Sequence, residues 1–106
     1  MIIASIRMRP VEGRMNSVLR TIRGMLEPMR VQPGCLGVLC SRDIEDENMM
    51  ILEERWETQK DLDVHLRSDW YRTILLLLED SGEKPLVEFH QVTGTEGMEQ
   101  IKKVRG

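Results

Sequence analysis

The apolar residues of this chain repeat at every second position, then at every third or fourth, and the two periods alternate in an order that few folds accommodate. In "MIIASIRM" Ile2, Ala4, Ile6 and Met8 fall on one side and Ile3, Ser5 and Arg7 on the other, which predicts a strand closed by Pro10 and Gly13. Val18, Leu19, Ile22, Met25, Leu26 and Met29 then recur at helical spacing, with Asn16 or Ser17 as N-cap and Pro28, Pro33 and Gly34 as the stop. "CLGVLCS" and "MMILEERW" read as two further strands around an acidic turn at Asp43–Asn48. Thr58, with Asp61 three residues on, opens a second helix like a capping box. Its inward stripe is Leu62, His65, Leu66, Trp70, Ile74, Leu77 and Leu78, with a break near Ser68 that caps a second segment. "DSGEKP" is a turn and "LVEFHQV" the last strand.

The order is therefore βαββαβ, and the βαβ unit occurs twice. Right-handed crossovers place the first and third strands centrally, in spatial order 4-1-3-2. This is the ferredoxin-like α+β sandwich, a four-stranded antiparallel sheet with two helices on one face. At 106 residues the chain supports one domain, which we place at residues 1–93, followed by a polar C-terminal tail at 94–106 with Met98, Ile101 and Val104 as anchors. A sheet covered on one face alternates apolar and polar residues, yet "CLGVLC" and "MMIL" are apolar on both sides. The second face needs a cover, and in so short a chain a second copy supplies it. A homodimer joined through the uncovered sheet face is the expectation.

Composition excludes several classes. Residues 1–42 carry seven arginines and two acids, while residues 43–106 carry eight basic and sixteen acidic groups. In one compact fold the halves interleave. No basic patch is interleaved with aromatics, so nucleic-acid binding is disfavoured. No run approaches the ~20 apolar residues of a membrane span, so no membrane partner is expected and the cytoplasm is the expected location. Cys35 and Cys40 stand five apart in a strand that spans roughly 16 Å over that distance, too far for a disulfide. Their odd separation points them to opposite faces as free thiols. No His/Cys spacing matches a metal site.

The four aromatic residues include two close to one of the two histidines, in "DVHLRSDWYRT". On a helix Trp70 and Tyr71 diverge by ~100°, so one of them faces the sheet squarely. We place Trp70 inward with His65 and read Tyr71 as core or rim packing. Glu54 and Trp56 share one face of the third strand, and Glu53 or Glu54 is positioned to pair with Arg7.

The run "QPGCLGVLCSRDIEDENMMILEERWETQKDLDVHLRSDWYRT" resembles the antibiotic biosynthesis monooxygenase family of dimeric ferredoxin-like proteins. The shared features are Pro-Gly-Cys before the second strand, the acidic turn, Glu54 and Trp56 ending the third strand, Thr58 opening the helix, and His65-Leu66 ahead of Ser68. "EKPLVEFHQV" resembles the family's last strand. The resemblance implies two enzyme types. One oxygenates quinols or polyketide-like phenols without metal, flavin or haem. The other degrades haem with an asparagine, a tryptophan and an axial histidine, positions that here hold Ile6, His65 and Leu75, so haem degradation is disfavoured. The resemblance thus implies a cofactor-independent monooxygenase of a small electron-rich aromatic. His65 is then the catalytic base, since an imidazole with a pKa near ~6.5 is largely neutral at pH 7. Ile6, Trp56, Trp70 and Tyr71 are the substrate-binding residues, with no metal and no cofactor. Two other readings stay beside it: a packed, hydrogen-bonded His65 in a non-catalytic small-ligand binder, and a structural or regulatory dimer of the same fold. A cavity bounded by Ile6, His65 and Trp70 favours the first two over the third.

Overall fold

The computed structural model describes residues 1–106. Strand β1 (Ile2–Met8) leads to helix α1 (Met15–Arg30), strands β2 (Cys35–Arg42) and β3 (Met50–Trp56), helices α2 (Gln59–Leu66) and α3 (Asp69–Leu78), strand β4 (Leu86–Gln91) and helix α4 (Met98–Arg105). All pairings are antiparallel and the sheet order is β2-β3-β1-β4, the ferredoxin-like arrangement expected from the element order.

The period-2 pattern of β1 becomes a buried face of Ile2, Ala4, Ile6 and Met8, matched on β3 by Met50, Leu52, Glu54 and Trp56. Onto it α1 packs Val18, Ile22, Met25 and Met29. The helix starts two or three residues earlier than the expected caps. Arg14 is its N-cap and makes no side-chain cap bond, and Ser17 Oγ donates instead to Arg14 O at 3.0 Å. Pro28 does not end α1 but lies inside it. Proline costs one backbone bond, and the burial of Met25 and Met29 on either side of it carries the helix to Arg30. Arg30 then reaches across to Val38 O at 2.9 Å and fastens α1 to β2.

Both caps of the second helical region form as read from sequence. Asp61 N donates to Thr58 Oγ1 at 3.1 Å, and Tyr71 N donates to Ser68 Oγ at 3.3 Å. The interruption at Ser68 makes two helices of the stripe and resets its phase. Tyr71 and Ile74 are buried on α3, and Trp70 is 38% exposed. Tyr71, and not the expected Trp70, is thus the one that faces inward.

Two strand expectations change. A bulge between Cys35 and Gly37 shifts the register of β2, so Cys35 lies opposite Trp56 and Cys40 opposite Leu52. Both thiols therefore point to the helix side, half-buried and free, and burial pushes both up from the usual thiol range. Arg7 lies opposite Ile51, so it pairs with neither glutamate. Glu53 contacts Arg55 at 3.4 Å and Glu54 faces the helices. Residues 94–106 hold α4, and none of Met98, Ile101 and Val104 is buried against the chain.

Gly34, between α1 and β2, has φ +79° and sits where a Cβ would strike the carboxyl of Asp61 in the first turn of α2. Its carbonyl also accepts from Glu57 N at 2.8 Å. Gly34→Ala combines left-handed strain with a clash against a capping residue. It should destabilise the fold by more than about 1 kcal/mol in urea unfolding, while Gly24→Ala, on an open helix surface, should stabilise it slightly.

Candidate functional site

The site is built where β3, α2 and the turn after α1 meet. The alternation of β3 sends Glu54 and Trp56 inward two residues apart, and α2 presents Leu62 and His65 to them. Gln32 comes from the turn between α1 and β2. Trp56 Nε1 donates to Glu54 Oε1 at 3.0 Å. His65 Nε2 lies 2.7 Å from the same oxygen, and His65 Nδ1 lies 2.8 Å from Gln32 Oε1. The imidazole stacks on Trp56 with centroids 4.5 Å apart, and Tyr71 meets it edge-on at 5.5 Å.

The donor inventory decides how this cluster works. An amide oxygen accepts, so Nδ1–H donates to Gln32. Nε2 then faces Glu54 Oε1. Their contact is short, but it bends away from the ring's N–H direction, so distance alone makes it an ion-pair contact and not an aligned hydrogen bond. Both side chains are almost wholly enclosed, His65 and Glu54 at 1% exposure each. A carboxylate is tolerated there because an indole N–H and an imidazole face it. Burial, with the charge of Glu54 second, raises the phenol of Tyr71 above its ordinary value, so Tyr71 remains a protonated donor.

This geometry sets His65 apart from the surface cavities. The three surface cavities are lined by other residues: one of about 400 Å³ between α1 and β2, one of about 530 Å³ near Arg9 and Glu83, and one of about 260 Å³ along α1. His65 touches none of them. A general base needs a nitrogen facing the proton it removes; Nδ1 is bonded to Gln32, and Nε2, which makes no hydrogen bond, faces Glu54 inside the closed core. His65 is a brace between three elements and does not line a pocket. Trp56 is fully buried and packed, and Ile6 is buried in the cluster that holds Tyr71 and Ile74. Trp70 lies on α3 at 38% exposure. Gln32 and the partnership of Glu54 with His65 escaped the sequence reading. Glu54 carried a signal, since it shares the parity of Trp56 and so had to turn inward.

Beside the cluster the sheet is open. Val87 and Phe89 of β4 lie opposite Ile6 and Ala4, so they share the helix-facing side. Ile6 and Ala4 are buried, whereas Val87 and Phe89 are 37% and 45% exposed. An apolar shelf therefore runs outward from Ile6. No three His, Cys, Asp or Glu side chains converge in a way that would hold a metal ion.

The sequence profile described as antibiotic biosynthesis monooxygenase matches residues 1–75, from β1 into α3. The chain belongs to the antibiotic biosynthesis monooxygenase family. Among solved structures, a crystal structure of an antibiotic biosynthesis monooxygenase is 20% identical with TM-score 0.77, covering 89% of this chain and 100% of its own. A conserved protein from Methanosarcina mazei Go1 is 19% identical with TM-score 0.78, covering 85% and 90%. A protein from Mycobacterium tuberculosis is 18% identical with TM-score 0.81, covering 91% and 98%. At these identities the likeness is one of fold. No curated protein matches the sequence.

Within this family frame the Glu54 cluster yields a stability test. Glu54→Ala removes the acceptor of Trp56 and the counter-group of His65 together. It should cost about 3–5 kcal/mol in chemical denaturation, while Glu53→Ala, on the open sheet face, should cost less than about 1 kcal/mol.

Proposed function

We propose that the chain is a cofactor-independent monooxygenase of a small electron-rich aromatic, a quinol or polyketide-like phenol, bound on the shelf formed by Val87, Phe89 and Ile6. The observation that carries this reading is the open apolar strip of β4 next to the buried polar cluster. A planar apolar ligand fits such a floor, and Tyr71 meets His65 edge-on while packing in the same core cluster as Ile6.

The chemistry asks little of the protein. A phenol loses its proton, and the phenolate passes one electron to molecular oxygen. The aryloxyl radical and superoxide combine at a ring carbon. The resulting hydroperoxide loses water and leaves a quinone, so one oxygen atom enters the product and the other leaves as water. The protein's part is an apolar seat, orientation and stabilisation of the phenolate. Tyr71, kept protonated, donates to the phenolate oxygen. His65 acts through Tyr71 as a positioning residue, holding its ring edge-on while Glu54 and Gln32 hold the imidazole. The branch that degrades haem is not proposed, because Ile6 and Leu75 stand at two of its three required positions.

Tyr71→Phe should lower turnover of a phenolic substrate by about 10- to 100-fold, the worth of one hydrogen bond to a charged group, with the folded fraction unchanged. His65→Gln should lower the melting temperature and leave turnover per folded molecule within a few-fold. A loss of 10²-fold or more per folded molecule would return His65 to the role of base. A non-catalytic small-ligand binder is favoured by the enclosure of His65, which puts neither ring nitrogen within reach of a ligand. Saturable binding of phenols with no oxygen consumption across a phenol panel would decide for it.

The reading includes a homodimer paired through the uncovered sheet face. Ile3, Ile51, Leu39 and Leu86 lie on that face with Ser5, Glu53 and Arg55, and an obligate interface of this kind buries about 2,000 Å² or more. Light scattering at micromolar concentration should give twice the 12.4 kDa of one chain, and a monomer would refute the pairing.

A further inference from the structure

Helix α4 has no partner in its own chain. Met98, Ile101 and Val104 recur at i, i+3 and i+6, which aligns them on one side, and they are 70%, 52% and 74% exposed. An isolated helix of eight residues is marginal in water and needs packing to persist. The arm also stretches the molecule. The radius of gyration is 15.5 Å and the longest extent 49 Å, against the ~13 Å radius of a compact domain of this length.

The groove between α1 and β2 has the opposite character. It encloses about 400 Å³, with Leu19, Ile22, Leu26 and Cys40 as its apolar lining and Arg23 and Arg42 at its rim. β2 is an edge strand. Arg23 takes part in none of the protomer's ion pairs, and Arg42 spends only Nε and one terminal nitrogen on Glu47 O. The start of the arm carries Glu96 and Glu99, and Lys102, Lys103 and Arg105 come at its end. Glu99 is held below the usual carboxylate range by backbone N–H groups at the helix start, so it is ionised at neutral pH.

We infer that α4 of one copy lies in the α1/β2 groove of a second copy, with Met98, Ile101 and Val104 on Leu19, Leu26 and Cys40 and with Glu99 toward Arg23 and Arg42. The inference rests on the sheet-to-sheet pairing proposed above and adds to it. β4 and β2 are the two edges of the sheet. When two sheets stack about an axis parallel to the strands, β4 of one copy comes over β2 of the other. The arm that leaves β4 then arrives at the partner's groove, and its basic last turn runs on beyond the two arginines. Each copy thereby covers the exposed edge strand of the other, a surface that otherwise templates aggregation.

The test uses the full chain and its native thiol. Ile101 is exposed, so Ile101→Cys in a Cys35→Ser background should fold normally. A short bis-maleimide should then link it to Cys40 of a second copy and give a covalent dimer on a denaturing gel. Adding Cys40→Ser should abolish that band. Glu99→Arg should weaken the dimer several-fold in its dissociation constant, and Arg23→Glu in the same chain should restore it. A protein that scatters as a dimer but forms no Cys40-dependent link overturns the placement of the arm and leaves the sheet pairing standing. A Cys40-dependent link within a single chain, seen as a monomer of altered mobility, assigns the groove to the chain's own arm and overturns the inference. A monomer in scattering removes both proposals.

Discussion

Glu54 is a carboxylate enclosed in the core of a small domain, and the elements around it are arranged to satisfy it. Trp56 reaches back along the same strand with its indole N–H, and α2 sets His65 against the same oxygen. Gln32 then occupies the far side of the imidazole and fixes which nitrogen carries its proton. An uncompensated buried charge costs several kcal/mol, so the three partners depend on one another. The cluster thereby ties the end of β3 to α2 and to the turn after α1. β3 and α2 are neighbours in sequence, so the long-range link is the bond from His65 to Gln32, thirty-three positions away.

The same arrangement limits the chemistry. A histidine enclosed at 1% exposure, with Nδ1 on Gln32 and Nε2 turned to Glu54, does not meet a substrate, however suitable its intrinsic basicity. What the cluster offers is rigidity: a stacked Trp56 and His65, an edge-on Tyr71, and a phenol that burial keeps protonated. A reaction whose driving force lies in an electron-rich substrate and molecular oxygen is compatible with such a site, because the substrate anion supplies the electron. The open strip along Val87 and Phe89 provides the neighbouring apolar surface.

Edges are the second theme of the fold. The sheet ends at β2 and β4, and both ends leave apolar groups uncovered: Leu36 and Leu39 on one, Leu86, Val87 and Phe89 on the other. In a chain of this length the core is too small to fold over them. Helix α4, amphipathic and wholly exposed, belongs to the same pattern. Its apolar stripe makes physical sense as one half of a surface whose other half lies on a second copy.

The alternation of periods 2 and 3.6 by itself determined the element order, the antiparallel sheet with β1 and β3 central, the inward faces of β1 and α1, and the caps at Thr58 and Ser68. These features follow from local chemistry, where side-chain parity and a single hydroxyl suffice. It also put His65 on the inward stripe of the second helix and Glu54 on the same strand face as Trp56. Tertiary structure decided the rest. One inserted residue in β2 turned both cysteines to the same side, and the helix break at Ser68 exchanged Trp70 for Tyr71. The engaged Nδ1 of His65 depends on Gln32, thirty-three positions away. Parity reports the side of an element on which a residue falls, but a hydrogen-bond partner is chosen by distance and direction in space, which no local pattern encodes.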